Sequence, residues 1–144
     1  VFTRSSDRWT LARVLMASPA MPGDLFGYAL ALTDSALLIG APGAGSSARG
    51  LGGDPALLDA PQAGAAYLYT PTAMGYQLST YLKAGNAAAQ AFFGAGIALS
   101  ADTLVIAAPH QASSATGINP SADDRSKFKR RCGLRVSVRA FSST

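Results

Sequence analysis

Short apolar runs, broken by Gly, Pro, Asp and Ser, recur along most of the chain. Residues 26–32 read FGYALAL, residues 33–35 are Thr-Asp-Ser, and residues 36–42 read ALLIGAP. Partly alternating apolar positions on both sides of a tight turn predict a β-hairpin. Residues 65–70 (AAYLYT) and 76–84 (YQLSTYLKA) predict a second hairpin across 71–75, with Tyr76, Leu78, Thr80 and Leu82 on one face. Between the two hairpins, residues 43–62 form a long loop of Gly, Ala, Ser and Pro.

The pattern then returns in a fixed register. Residues 1–57 match residues 68–124 without a gap, at an offset of 67 (93 minus 26, 109 minus 42). Phe26-Gly27 falls on Phe93-Gly94, and Ala41-Pro42 on Ala108-Pro109. The same offset pairs Thr3 with Thr70, Leu11 with Leu78, Leu15 with Leu82, Leu37 with Leu104 and Ile39 with Ile106, and it places Trp9 on Tyr76. The first hairpin therefore recurs over 93–100 and 103–109, and the second precedes it over 1–3 and 9–17.

Each unit is predicted to be four antiparallel strands. The expected organisation is the second half of a unit over 1–17, a complete unit over 26–84, the first half of the next over 91–124, and a separate segment over 125–144. Tandem four-stranded units read as propeller blades, whose faces are shielded by their neighbours. The expected fold class is all-β, a β-propeller fragment holding about two blades. Because Val1 falls inside a predicted strand, the expectation is a piece of a longer array that is marginally stable alone.

Composition agrees with this. The 15 Gly and 8 Pro suit a turn-rich β protein, and every acid is Asp, a turn former, with no Glu. No apolar run is long enough to cross a bilayer as a helix, so no membrane insertion is expected, and no leader peptide is visible. The net charge of +4 conceals a split: seven of the 12 basic residues lie after Asp124, and all eight Asp lie at or before it. Residues 1–124 are net −3 and the tail net +7, with Cys132, the single cysteine, in the tail.

Phe-Gly, an apolar strand, then Gly-Ala-Pro resembles the FG-GAP repeat. Here the motif is Phe26-Gly27 with Gly40-Ala41-Pro42, and Phe93-Gly94 with Ala107-Ala108-Pro109. GYALAL, LLIGAP, AGAAYLY and SSATGIN look like the bacterial, secreted form of this family, over roughly residues 1–124. The resemblance implies a propeller like that of integrin α-chains and a binding or adhesion role, secreted or at the cell surface, towards a protein or glycan ligand. The motif residues read as packing groups. Gly27 and Gly40 allow unusual φ or close approach, Pro42 ends a strand, and Phe26 plugs the gap between blades.

Integrin-type repeats often carry an Asp-x-Asp-x-Asp-Gly calcium loop between the first two strands. Here that link is 33–35, and 100–102 in the next unit, with a single Asp each, too few for calcium. Asp54 and Asp59 in the long loop, and Asp123 and Asp124 in its counterpart, are weak calcium candidates, read first as solvated turn residues. No other cofactor is expected.

Residues 125–144 depart from the repeat. Where a strand like PQAGAAYLYT belongs, the chain reads RSKFKRRCGLRVSVRAFSST, with no propeller-strand character. Reading one base later from Lys127, allowed codons give Asn-Ser-Ser-Gly-Ala-Ala-Val-Tyr-Val-Phe-Arg-Ser-Gly, the missing strand. The tail is thus expected to be a frameshift product, poorly packed, and its charge is not read as a nucleic-acid site. Phe128 and Phe141 are too few for a stacking platform.

Nothing predicts catalysis. His110, the only histidine, sits at a strand end; there is no Gly-x-Ser-x-Gly elbow and no metal-ligand cluster. Tyr69 and Tyr76 could stack on a sugar, although strand aromatics more often pack across strands. The alternative to a binding module is the non-catalytic propeller scaffold of a secreted hydrolase.

Overall fold

The computed structural model describes residues 1–100 and 103–111, and the backbone of 136–140. Strands β1 (Phe2–Ser5) and β2 (Arg8–Leu11) form an antiparallel pair. Strands β3 (Ala29–Leu32), β4 (Leu37–Ala41), β5 (Ala65–Thr72) and β6 (Gly75–Leu82) form a four-stranded antiparallel sheet in sequence order. Strands β7 (Gly96–Leu99), β8 (Thr103–Ala107) and β9 (Val136–Ala140) form a third sheet. The fold is all-β, with sequential antiparallel blades.

The 67-residue offset is visible in the backbone. β7 falls on β3, and Leu32↔Leu37 closes one hairpin as Leu99↔Leu104 closes the other. The link between β1 and β2, Ser6-Asp7, falls on the link between β5 and β6, Ala73-Met74. Thr33 N–H donates to Ala36 O, and Ser100 N–H to Thr103 O. β2 is shorter than expected, ending at Leu11; residues 12–17 continue without strand structure and pack Leu15 and Ala17 onto the central sheet.

Strand β4, inside the central sheet, is covered on both faces, which explains why it reads as an unbroken apolar run. One face presents Leu37, Ile39, Ala41, Tyr67, Tyr69 and Tyr81 towards Val1, Leu15 and Ala17. The opposite face presents Leu38, Ala66 and Leu82 to Phe93, Leu104 and Ile106 of the next sheet.

The expected common face for Tyr76, Leu78, Thr80 and Leu82 does not form. The β5–β6 register shifts between Leu68 and Tyr69: Leu68 opposes Thr80, whereas Tyr69 opposes Leu78. Ser79 is the extra residue of a β-bulge, and it reverses the alternation. Tyr76 therefore packs on the face with Tyr69, and Leu82 packs on the other.

The tail also departs from expectation. Val136–Ala140 pairs along β8, with Ala107↔Val136 and Leu104↔Arg139, at the third-strand position that β5 holds beside β4. The run Val-Ser-Val has β-branched residues two apart, and β8 offers it a strand edge. The rest of 125–144, with Cys132, lies outside the described residues, as do Asp123 and Asp124.

Towards the N-terminus the apolar surface is open. All eight residues of β1 and β2 are exposed, among them Trp9 at 64%, and Leu30 and Leu32 on β3 stand 63% and 65% exposed.

Candidate interface between repeats

The motif residues converge where one sheet meets the next. Phe26-Gly27 and Phe93-Gly94 precede β3 and β7 and lie outside them, contrary to the predicted strand starts. The cause is backbone conformation. φ is positive at Gly23 (88°), Leu25 (57°) and Gly27 (91°), and again at Gln90 (60°), Phe92 (55°) and Gly94 (93°). Alternate left-handed residues cannot form a ladder, and the non-glycine ones are held there against a steric cost. Each tight lead-in is tied to its own hairpin: Gly27 N–H donates to Gly40 O (3.1 Å), and Gly94 N–H to Ala107 O (3.0 Å). Gly43 N–H to Asp24 O and His110 N–H to Ala91 O repeat the same tie one step on.

Across the boundary the contacts are backbone to backbone. A Cβ at Gly40 would collide with the Gly94 carbonyl, and a Cβ at Gly94 with the Ala65 carbonyl. A side chain at either site would push the sheets apart. The segment leading into β7 also runs parallel to the one leading into β5. Gln90 N–H donates to Pro61 O (2.8 Å), Phe92 N–H to Gln62 O (3.0 Å) and Phe93 N–H to Ala63 O (3.1 Å), next to a parallel bridge between Gly64 and Phe93.

Phe93 is buried between the two sheets, 5% exposed, against Leu104 and Ile106 on one side and Ala66 and Leu38 on the other. Phe26 makes the same approach to the central sheet, edge-on to Tyr67 (5.2 Å) and Tyr69 (6.5 Å), and is half-buried. Both rings wedge against the sheet they precede, and Phe93 has a second sheet on its far side. Ala41, Ala108 and Pro42 complete the packing and are buried or nearly so, and Pro109 is half-buried.

The polar groups nearby serve the architecture. Ser47 donates its N–H (3.1 Å) and its hydroxyl (2.7 Å) to the Asp59 carboxylate, which these bonds hold below its usual 3.8. Asp54 Oδ1 accepts from Ala56 N–H (2.8 Å). Asp54 and Asp59 are thus engaged in their own loop, and no cluster of three or more His, Cys, Asp or Glu occurs among the described residues. Tyr69 is buried and its hydroxyl donates to Met16 O (3.2 Å); Tyr76 is half-buried against the same core. Neither tyrosine is a surface platform for sugar. His110 is exposed and edge-on to Phe92 at 4.9 Å.

Sequence reasoning missed Lys83. It is buried, and its Nζ donates to Gly64 O at the junction, while its own N–H donates to Gly50 O. Burial lowers the ammonium to about 8, against the opposing pull of the Asp59 and Asp24 charges. Its aligned residue is Met16, so the repeat gave no signal.

The family comparison falls on the same elements. Residues 9–69 match the FG-GAP repeat. That span is an FG-GAP repeat. The matched span starts at β2 and ends within β5, so it holds the Phe26-Gly27 lead-in and the Gly40-Ala41-Pro42 end and stops short of Phe93-Gly94. No curated protein sequence matches the chain. Among the described residues, no helix is long and apolar enough to cross a membrane. The FG-GAP chain is thus a repeat module of the propeller type.

Proposed function

We propose that this FG-GAP module is part of a secreted or cell-surface protein that binds or adheres to a protein or glycan ligand, with no catalysis in this segment. One observation carries the reading. Among the described residues, four polar side chains of the junction and its loop are held in structural contacts: Asp59 by Ser47, Asp54 by Ala56, Tyr69 by Met16 and Lys83 by Gly64. Repeats arranged this way present loops on a rigid scaffold, a common basis for ligand recognition. The long loop over 43–62 is one such surface, with Leu51, Leu57 and Leu58 exposed on it.

The test is a polypeptide carrying this repeat with its neighbouring repeats, immobilised and probed with arrayed glycans and extracellular proteins. Saturable binding that is lost when residues 49–58 are replaced by a Gly/Ser linker supports the reading. Turnover of a glycan or peptide bond by the repeats alone contradicts it.

A further inference from the structure

The filled junction shows what the empty one lacks. Gln90, Phe92 and Phe93 donate their N–H groups to Pro61, Gln62 and Ala63. Sixty-seven positions earlier stand Gly23, Leu25 and Phe26. Their backbone has the same alternating positive φ, and the flanking bonds repeat as well: Asp24 N–H to Met21 O matches Ala91 N–H to Ala88 O, and Tyr28 N–H to Leu25 O matches Ala95 N–H to Phe92 O. Yet the N–H groups of Gly23, Leu25 and Phe26 donate to no group among the described residues. Gly23 and Leu25 are exposed and Phe26 half-buried. Beside them lies an apolar cleft of about 170 Å³, lined by Leu15, Met16, Ala17, Met21, Leu25 and Phe26.

We propose that residues 23–27 are an acceptor edge for an extended segment from outside this chain, of the type Pro-Gln-Ala-Gly-Ala, bound parallel with its glycine beside Phe26. The donor groups are already set in the conformation that the filled junction uses, so docking needs little reorganisation. The preference for glycine follows from Gly64, whose φ is +80° and whose Cβ would collide with the Phe93 backbone. Small flanking residues follow from Ala63, Ala65 and Ala66, which are fully buried in the filled case. This inference does not depend on the ligand-binding reading above.

The experiment titrates the full chain with a labelled peptide of residues 59–68, DAPQAGAAYL, and with a peptide carrying Gly64→Val. The expected result is saturable binding of the first peptide, with the Gly23, Leu25 and Phe26 amide resonances shifting and their exchange slowing. The valine peptide should bind weaker by roughly tenfold or more. Absence of binding, equal binding of the two peptides, or binding that leaves those three amides unchanged overturns the proposal. Self-association of the chain that the first peptide does not disperse also overturns it.

Discussion

Gly40 and Gly94 meet backbone to backbone across two sheets, with the Gly94 carbonyl occupying the space that a Cβ on Gly40 would need. One glycine belongs to the Gly-Ala-Pro end of a hairpin and the other to the Phe-Gly lead-in of the next repeat. The two parts of the motif are therefore two sides of one contact, and their spacing in sequence is set by the size of a blade.

Substitution of these glycines should be costly for a specific reason. Gly40→Ala and Gly94→Ala are expected to lose about 2 kcal/mol or more, because backbone must move to admit the methyl group. Gly85 has ordinary φ and nothing within 4 Å of its would-be Cβ. Gly85→Ala should be neutral or stabilising by about 0.5 kcal/mol. Urea unfolding of the three variants measures the contrast.

The two wedges should differ as their burial does. Phe93→Ala leaves a cavity between two complete faces and should cost about 3–5 kcal/mol. Phe26→Ala removes a half-buried ring and should cost about 1–2 kcal/mol. Equal losses would mean that the second junction is no better shielded than the first.

Stability should rise and then fall in the alkaline range. Lys83 titrates near 8 when folded and near 10.5 when unfolded, so the unfolded chain holds more protons between those values and stability climbs from about pH 8 to 10.5. The phenols act in the opposite sense. Burial raises Tyr67 and Tyr69 above 10 and Tyr81 to about 12, so the stability they contribute is lost as pH passes above 10. Thermal midpoints should peak near pH 10, and Lys83→Met should abolish the rising limb.

The tail makes a prediction outside the protein. If 125–144 is a frameshift product, inserting or deleting one base near the Lys127 codon restores a Gly-Ala-rich third strand. The corrected chain should then melt at a higher temperature than the present one, because a strand like β5 would stand beside β8 where β9 does now. A coding sequence that no single-base change restores ends the idea.

Much of this architecture was legible because the repeat is written in residue identity. The offset of 67 positioned each hairpin, and the Phe-Gly and Gly-Ala-Pro pieces marked the contact. What stayed hidden has local causes. Apolar alternation carries no information on φ, so Phe26-Gly27 and Phe93-Gly94 read as strand starts, which the left-handed residues on either side of each phenylalanine exclude. Ser79 is an unremarkable polar residue whose role as a bulge shows only in the register. Lysine is of a type rarely buried, and the burial of Lys83 depends on its bonds to Gly50 and Gly64, which its own strand does not reveal. β9 formed because an alternating β-branched run can occupy a vacant edge whatever its origin.

Amide hydrogen exchange over the whole chain tests the central claim most directly, since it reports which backbone groups are shared between successive sheets. Slow exchange is expected at Gly27 and Gly94 alike and at Gln90, Phe92 and Phe93, with fast exchange at Gly23, Leu25 and Phe26. Fast exchange at Gln90, Phe92 and Phe93, or unlike behaviour of Gly27 and Gly94, would show that the sheets do not join through the Phe-Gly lead-in.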